Sequence, residues 1–160
     1  MVTCERGKNM ERFVKTFGEL TAEELYDILQ IRVSVFVVEQ NCPYMEVDGR
    51  DKSAVHVWLK DEDGIEAYLR VMDSGVESEY VSIGRVLAVK RREGLGSAVL
   101  REGIRAAKEY FNAGHIYLEA QVYAKGMYEK QGFRVISDEY LDDGIPHVKM
   151  LLDCGEEQEG

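Results

Sequence analysis

Two arginines and two glycines stand together in the segment RREGLG (residues 91–96), between an apolar run typical of a strand and a periodic run typical of a helix. The first turn of a helix has unpaired backbone N–H groups and the positive end of the helix dipole, so an anion there is stabilised. The arginines add full positive charges, and the glycines allow a phosphate to approach the backbone closely. The segment is therefore a candidate pyrophosphate-binding loop. The alternative is a tight turn with a charged rim.

The spacing excludes two common phosphate-binding loops. A Walker-type loop needs a Lys-Ser or Lys-Thr pair after the second glycine of a longer spacing, and the segment has none. A dinucleotide fingerprint needs a third glycine where Val99 stands, and the strands before the segment have the wrong pattern for a doubly wound fold. A nucleotide-binding protein that uses the same loop for a different pyrophosphate is a weaker alternative.

The elements around the loop predict one sheet with helices packed on it. Thr21 and Glu24 have the spacing of a capping box and predict the start of the first helix. Gly132 is a natural stop for a short helix over AKGMYEKQ. The other segments alternate or are apolar as strands are: RFVKTF, AVHVWLK, IEAYLRVM, VSIGRVLAV, HIYLEAQV, FRVISDEYL and IPHVKMLL. The arrangement predicts a mixed α/β fold in one domain over residues 1–160, with frayed ends near residues 1–11 and 155–160.

The composition is that of a soluble globular domain. The chain has 160 residues, of which 45% are hydrophobic and 31% charged. No apolar run approaches the roughly 20 residues that span a bilayer, so no membrane segment is expected. Three cysteines (Cys4, Cys42 and Cys154) have no metal-type spacing and favour a reducing, cytoplasmic setting. The acidic hairpin tip Asp61–Asp63 also lacks the spacing of a metal loop, so no metal site is expected.

The net charge of −10 argues against nucleic acid as a partner, because phosphate binding needs a basic surface. A negative surface suits a cationic small substrate such as an amine. The alternative is that the acidity simply keeps the protein soluble.

Several blocks of the sequence resemble one family. The RREGLG segment is similar to the acyl-CoA pyrophosphate loop of the GNAT superfamily of N-acetyltransferases, and MYEKQGF (residues 127–133) is similar to the segment that carries its catalytic tyrosine. Further blocks resemble the ElaA-type branch in order along the chain: FVVEQNCPYMEVDG, IGRV, YLEAQ and DGIPHVKM. The resemblance implies the GNAT fold, with one mixed, mostly antiparallel sheet of about six or seven strands and about four helices.

The resemblance also implies acetyl-CoA as the acyl donor. In the family, a split between two central strands frees backbone groups for the pantetheine arm, and the Val89 N–H would then be the oxyanion donor. Two departures stand out: the connection from Val89 to Arg91 is shorter than in many members, and Gln121 replaces a common asparagine. The implied cofactor-binding residues are Leu87, Ala88, Val89, Arg91, Arg92, Gly94, Leu95, Gly96, Ser97 and Gln121.

Acyl transfer to an amine needs a proton donor for the leaving thiolate and a proton acceptor for the amine. Tyr128 matches the family's donor, and its alternative role is packing in the core. Glu119 is the candidate base, on the same strand face as Tyr117 and Gln121, and its alternative is an exposed polar position. Glu39, Asp48 and His147 belong to ElaA-like blocks and could line the acceptor pocket. No base partner marks Cys42 as a nucleophile, so an acyl-cysteine route is not expected.

The sequence thus predicts a cytoplasmic N-acetyltransferase that moves an acetyl group from acetyl-CoA to a primary amine by direct transfer in a ternary complex. The acceptor would be a small-molecule or peptide amine, expected to be cationic, and the protein a monomer or a homodimer. The alternative function is a non-catalytic acyl-CoA-binding or sensing module.

Overall fold

The computed structural model describes residues 2–3, 9–89 and 94–155. Within these residues the chain forms nine strands and three α-helices. The strands are β1 (Val2–Thr3), β2 (Asn9–Thr16), β3 (Val55–Asp61), β4 (Gly64–Met72), β5 (Val81–Ala88), β6 (His115–Gln121), β7 (Arg134–Val135), β8 (Tyr140–Asp142) and β9 (Ile145–Asp153). The helices are α1 (Ala22–Arg32), α2 (Leu95–Phe111) and α3 (Lys125–Lys130). None of these helices is long and apolar enough to cross a membrane.

The strands form a single mixed sheet in the order β1-β2-β3-β4-β5-β6-β9-β7, with β8 also paired to β9. Only the β5–β6 pair is parallel among the pairs described. The predicted α/β fold with a mostly antiparallel sheet is therefore confirmed. The strand count exceeds the expected six or seven because β1, β7 and β8 are edge pieces of two or three residues.

Two predicted strands have different bounds. The first long strand begins at Asn9, three residues before the predicted start at Arg12. The segment FRVISDEYL, predicted as one strand, is divided into β7 and β8. The division occurs where the Ser137 hydroxyl accepts the Lys149 N–H at 2.9 Å, in place of a backbone carbonyl. The ladder is interrupted at that point, which the alternation of side chains could not indicate.

Helix α1 begins as predicted and then changes its geometry. The Thr21 hydroxyl accepts the Glu24 N–H at 3.0 Å, and the Glu24 carboxylate accepts the Thr21 N–H at 2.9 Å. This capping box is thus confirmed. After Arg32 the chain continues as a π-helix over Val33–Glu39. Val33, at its start, is exposed, while Phe36 packs against the buried cluster around Trp58. The described residues form three α-helices, where the resemblance implies about four.

The sheet has a core on each face. Helix α2 covers the larger core, where Gly103 lies so close to β4 that a Cβ would be 2.7 Å from a Leu69 methyl carbon. Helix α1 covers the smaller core, in which Ile28, Trp58 and Leu87 are buried. Trp58 therefore belongs to the packing between the sheet and α1.

A bulge in β5 changes which side chains of this central strand face each side of the sheet. Tyr68 of β4 pairs with Leu87, but Arg70 pairs with Gly84, so Arg85 and Val86 stand opposite the single residue Leu69. Arg85 has a φ of 54°, an unusual value for a non-glycine residue within a strand. The extra residue reverses the alternation of β5 and turns Leu87 toward the α1 side.

Strands β5 and β6 diverge after Ser82 and Tyr117, before the bulge is reached. They pair only at Val81 with Ile116 and at Ser82 with Tyr117, as far as the described residues show. The remaining length of each strand has an unpaired edge facing the other. The split that the family resemblance implies is therefore present, with backbone hydrogen-bonding groups on its sides.

Candidate active site

A cavity of about 640 Å³ occupies the split between β5 and β6. Its walls come from both strands, the π-helix, the first turn of α2, helix α3 and the turn between β8 and β9. A volume of this size is typical of a site for a small molecule or cofactor.

The first turn of α2 forms one end of the cavity. Gly94 is the N-cap residue with a φ of 70°, and Gly96 and Ser97 follow it in the cavity wall. Leu95, predicted to bind the cofactor, has a side chain that is 1% exposed in the main core, so only its backbone faces the helix end. The predicted residues Arg91 and Arg92 lie outside the described part of the chain.

Gly96 also has a packing role. A Cβ at this position would lie 2.8 Å from the Met127 sulfur of α3. The missing side chain therefore allows α2 and α3 to approach each other at the end of the cavity. This contact lies beside Tyr128, so it couples the glycine turn to the position of the predicted proton donor.

The free edge of β5 presents a different amide from the one predicted. The Val89 N–H donates to the Glu66 carbonyl at 2.7 Å, so it is not available to an oxyanion. Adjacent residues of a strand direct their backbone groups to opposite edges, so the Ala88 N–H faces the split. Leu87 and Ala88, which are predicted to bind the cofactor, line the cavity, and Val89 is not among the lining residues.

Tyr128 lies in the cavity wall with its side chain almost completely buried. Its ring packs edge-on against Phe133, with 6.0 Å between the ring centres. Burial, and then the nearby Tyr123, raise the pKa of Tyr128 above its ordinary value of 10.0. The phenol therefore keeps its proton at neutral pH, as a proton donor must.

Glu119 lies in the same cavity and accepts a hydrogen bond from the Tyr117 hydroxyl at 2.8 Å. Tyr117, Glu119 and Gln121 share the cavity face of β6 as predicted, while Leu118 and Ala120 belong to the main core. Burial and the charge of Glu119 raise the pKa of the Tyr117 phenol, so Tyr117 donates to the carboxylate rather than losing its proton.

His147 reaches the cavity from β9, where it pairs with Gln121. Its Nδ1 atom lies 2.7 Å from the Ile145 carbonyl oxygen. A carbonyl only accepts hydrogen bonds, so Nδ1 carries a proton, and Nε2 is the ring nitrogen that is left to face a substrate. The ring stacks on Tyr140 with centres 6.0 Å apart. The neutral ring can therefore accept a proton at Nε2.

Glu39 and Asp48, the other two residues predicted to line the acceptor pocket, differ in whether they reach the cavity. Glu39, at the end of the π-helix, lines the cavity, and so does Gln121, whose amide donates to Gln40 at 3.4 Å. Asp48 does not line it. Its carboxylate accepts hydrogen bonds from Arg70 at 2.7 Å and from Arg85 at 3.4 Å. Asp48 is therefore a structural partner of two arginines and not an acceptor-binding residue.

Asp48 belongs to a largely buried network of three arginines and three carboxylates, of which Arg70 and Arg85 reach the cavity wall. Arg32 donates hydrogen bonds to Glu46 at 2.8 Å and to Asp51 at 2.6 Å. Each of these two carboxylates also binds a second arginine. The other close contacts are Arg70 with Asp51 at 2.9 Å and Arg85 with Glu46 at 2.7 Å. The equal numbers of opposite charges explain how these groups tolerate burial.

The network also sets ionisation states. Burial alone would raise the pKa of Asp51, but hydrogen bonds and charges from Arg32 and Arg70 lower it. His56, next to the network, donates from Nε2 to the Asp51 carbonyl at 3.0 Å and accepts the Tyr68 hydroxyl at Nδ1 at 2.7 Å. Burial lowers the pKa of His56, so its ring is neutral. His56 and Tyr68 thus support the network through these hydrogen bonds.

The thiol of Cys42 also faces the cavity, 3.8 Å from the Asp143 carbonyl oxygen. Burial raises the pKa of Cys42, and the charges of Asp143 and Asp142 raise it further. A thiol held in its protonated form is a poor nucleophile. The surroundings of Cys42 therefore agree with the expectation that no acyl-cysteine forms.

A family model identifies the family of the chain. The family model described as "Acetyltransferase (GNAT) domain" matches residues 21–154. The chain belongs to the GNAT acetyltransferase family. The match runs from the capping box of α1 to the end of β9, so it includes every described wall of the cavity.

Relatives of this GNAT protein place it in the ElaA-type branch. It is 37% identical to the protein ElaA of Escherichia coli over 139 residues, which are 83% of this chain and 90% of ElaA. A UPF0039 protein of Schizosaccharomyces pombe is 39% identical over 149 residues, 91% of this chain and 98% of that protein. The ElaA-type resemblance read from the sequence is thereby confirmed.

Solved structures agree with this placement. The crystal structure of E. coli ElaA superposes with a TM-score of 0.85 and 33% identity, covering 91% of this chain and 100% of ElaA. An acyl-CoA N-acyltransferase from Pseudomonas aeruginosa superposes with a TM-score of 0.83 and 37% identity, covering 89% of this chain and 99% of that one. These relatives support an acyltransferase.

Proposed function

We propose that this GNAT protein transfers an acetyl group from acetyl-CoA directly to a primary amine, with both substrates bound at once. The observation that carries the proposal is the buried, protonated Tyr128 in the wall of a cavity that the diverging strands β5 and β6 enclose. A pocket for a thioester, an unpaired strand edge and a proton donor are the parts that acyl transfer to an amine requires.

The acetyl-CoA would lie along β5 toward the start of α2. The Ala88 carbonyl on the unpaired edge of β5 would bind a pantetheine amide, as an added strand does, which leaves the Ala88 N–H for the oxyanion. Leu87 would contact the arm only through its side chain, because its backbone groups face β4. The first turn of α2, with Gly94, Gly96 and Ser97, would bind the pyrophosphate through its backbone N–H groups. Arg91 and Arg92 would add charge there, Leu95 would contribute only its N–H, and Gln121 would contact the arm from the opposite side of the split.

The bonds in the reaction follow from these positions. The amine nitrogen attacks the thioester carbonyl carbon, and the negative charge that develops on its oxygen is stabilised by the Ala88 N–H. The carbon–sulfur bond then breaks, and the leaving thiolate takes the phenolic proton of Tyr128. Cys42 takes no part, in keeping with direct transfer.

The amine must lose a proton, and two groups are placed to accept it. Glu119 is a carboxylate in the cavity, with one oxygen engaged by Tyr117. His147 presents Nε2, because Nδ1 is bound to the Ile145 carbonyl. We propose Glu119 as the base, with His147 as the alternative that the pH dependence will separate.

The charges around the cavity favour a cationic acceptor. Glu39, Glu119, Asp142 and Asp143 line it, and none has a basic side chain within 4 Å in the described ranges. The lining arginines, Arg70 and Arg85, are already paired with carboxylates of the buried network. The wall therefore carries an excess of negative charge, which attracts a protonated amine. The thiols Cys42 and Cys154 suit the reducing environment of the cytoplasm, where we place the protein.

The test is an acetylation assay with a panel of amines, in which released CoA and acetylated product are both measured. The proposal expects equal amounts of the two with at least one cationic amine. If acetyl-CoA binds tightly but no amine in the panel is acetylated, the protein is instead a non-catalytic acyl-CoA-binding module.

A further inference from the structure

Gly84 lies in the middle of β5 and in the wall of the cavity. A glycine inside a strand costs stability, because it has no side chain to pack and loses more backbone freedom on folding than other residues. Such a glycine therefore usually meets a local requirement. The requirement is a positive φ, a close approach of other protein atoms, or a close approach of a ligand.

The first two requirements do not apply to Gly84. Its φ is not positive, and the unusual φ of the neighbouring bulge belongs to Arg85. A Cβ on Gly84 would have no described atom within 4 Å, whereas a Cβ on Gly103 would lie 2.7 Å from Leu69. Gly84 is also partly exposed, so the space beside it is open to the cavity. The remaining reason for this glycine is a ligand.

The space over Gly84 is on the face of the sheet that carries the proposed base. Ser82 pairs with Tyr117 in the parallel ladder, so these two side chains point to the same face. Two residues further along each strand are Gly84 and Glu119, which therefore share that face on opposite sides of the split. Ile83 belongs to the main core under α2, so this face is the α1 side. A group over Gly84 thus lies across the split from Glu119.

The surroundings of this space describe the part of a ligand that fills it. Its floor is the backbone of Gly84, which offers a CH₂ group and no polar side chain. The π-helix supplies Val35 and Phe36 to the cavity wall, and both pack with the apolar cluster on the α1 side. The carboxylate of Glu119 lies to one side. This combination fits an amine whose nitrogen is directed to Glu119 and whose apolar section lies between β5 and the π-helix.

We infer that Gly84 is a specificity-determining residue of the acceptor site: its missing side chain leaves the room in which an apolar section of the acceptor, next to the amine, lies against β5. The inference rests on the proposed function, since it names the class of amine that the same site takes. The acetyl-CoA would extend from Ala88 toward α2, so its binding does not depend on Gly84.

Gly84→Ala tests the inference with one methyl group. The variant should melt at the same temperature as the wild type or higher, because the methyl group meets no described protein atom and alanine has less freedom in the unfolded chain. Acetyl-CoA should raise its melting temperature as much as that of the wild type. For amines with an apolar section, kcat/KM should fall about 10-fold or more, because the methyl group occupies the space of the acceptor.

Two classes of acceptor separate a loss of room from general damage to the strand. Ring-bearing amines such as 2-phenylethylamine are thicker than linear alkylamines of the same length, so Gly84→Ala should lower kcat/KM more for the ring-bearing class. Gly84→Val should lower it strongly for both. The control is Gly114→Ala, where a Cβ also meets nothing described within 4 Å but lies outside the cavity wall. This control should leave kcat/KM unchanged for both classes.

An unchanged kcat/KM in Gly84→Ala would overturn the inference and show that only water fills the space. An equal fall for both classes would also overturn it, since shape would then not be selected at this position. If the wild type acetylates no amine, the proposed function fails, and Gly84 is tested by calorimetric titration of 2-phenylethylamine in the presence of CoA. Weaker binding to Gly84→Ala than to the wild type supports the inference. Equal affinity, or binding to neither protein, would overturn it.

Discussion

The Val89 N–H donates a hydrogen bond to the Glu66 carbonyl at 2.7 Å, and this bond directs the next amide along β5, that of Ala88, into the cavity. The bulge at Arg85 is held from the other side by its 2.7 Å contact with Glu46. The position of the proposed oxyanion donor is thus fixed by β4 on one side and by the buried charge network on the other.

Gly96→Ala tests the glycine turn at the start of α2. Because the new Cβ would lie 2.8 Å from the Met127 sulfur, α2 and α3 should separate slightly and the site for the pyrophosphate should distort. Acetyl-CoA should raise the melting temperature of the wild type, while NAD and ATP should not, and the variant should lose most of that increase.

The matched control for this prediction is Gly126→Ala in α3, where a Cβ would meet nothing within 4 Å. It should keep the increase with acetyl-CoA and gain up to about 1 kcal/mol of helix stability. Equal stabilisation of the wild type by NAD would contradict the assignment of the loop to CoA.

The choice between Glu119 and His147 as the base is tested by the pH dependence of kcat/KM. A protonated base cannot accept the amine's proton, so the rate should fall on the acid side. Glu119→Gln should lower the rate at neutral pH by about 100-fold or more and recover part of it at high pH, where more of the amine is already neutral.

His147→Gln is the comparison variant, and it should keep the wild-type pH profile if Glu119 is the base. The reverse result would transfer the role to His147. Wild-type pH profiles in both variants would exclude both residues as the base and would indicate that water accepts the proton.

The negative cavity predicts a dependence on salt. Attraction between the lining carboxylates and a cationic acceptor is screened over about 10 Å at 0.1 M salt, so the KM for that acceptor should increase with ionic strength. Glu39→Gln should weaken this dependence, whereas Glu139→Gln, an exposed carboxylate outside the cavity wall, should leave it unchanged. A KM that is independent of salt, together with a preference for neutral amines, would refute the electrostatic part of the proposal.

Asp51→Asn tests the buried network. The variant lacks the negative charge that balances the buried positive charges of Arg32 and Arg70. The free energy of unfolding should therefore decrease by about 3–5 kcal/mol. The pKa of Asp51 is lower when folded than its ordinary 3.8, so its stabilising contribution is complete above that pH and is lost as the pH falls below it. Urea unfolding from pH 7 down to pH 3 should show this acid-side loss in the wild type and a smaller one in the variant. Equal slopes would contradict the role of Asp51.

Much of this molecule could be predicted from local sequence. The Thr21–Glu24 capping box, the hairpin of β3 and β4 and the helix stop at Gly132 depend on residues that are near each other in the chain, and their spacing shows them directly. The placement of Tyr128 and Glu119 in one cavity followed from strand alternation and the family resemblance together.

The rest depends on contacts between distant residues. The bulge at Arg85 reverses the alternation of β5, and for this reason Ala88 and not Val89 presents the free amide. Asp48 was misassigned because its partner Arg70 is 22 residues away, and no spacing rule connects them.

The central claim is that Tyr128 protonates the leaving thiolate in a direct transfer, and a single-turnover measurement tests it most directly. Acetyl-CoA and an accepted amine are mixed with excess enzyme, and acetylated product and free CoA are followed together. With Tyr128→Phe, which keeps the ring packing on Phe133, the rate should fall by about 10–1,000-fold while acetyl-CoA binding changes little. Tyr110→Phe, at an exposed position outside the cavity wall, should behave as the wild type. The wild-type rate should show no decline from Tyr128 ionisation below pH 10.0, because burial raises the pKa of that phenol. An unchanged single-turnover rate in Tyr128→Phe would contradict the claim.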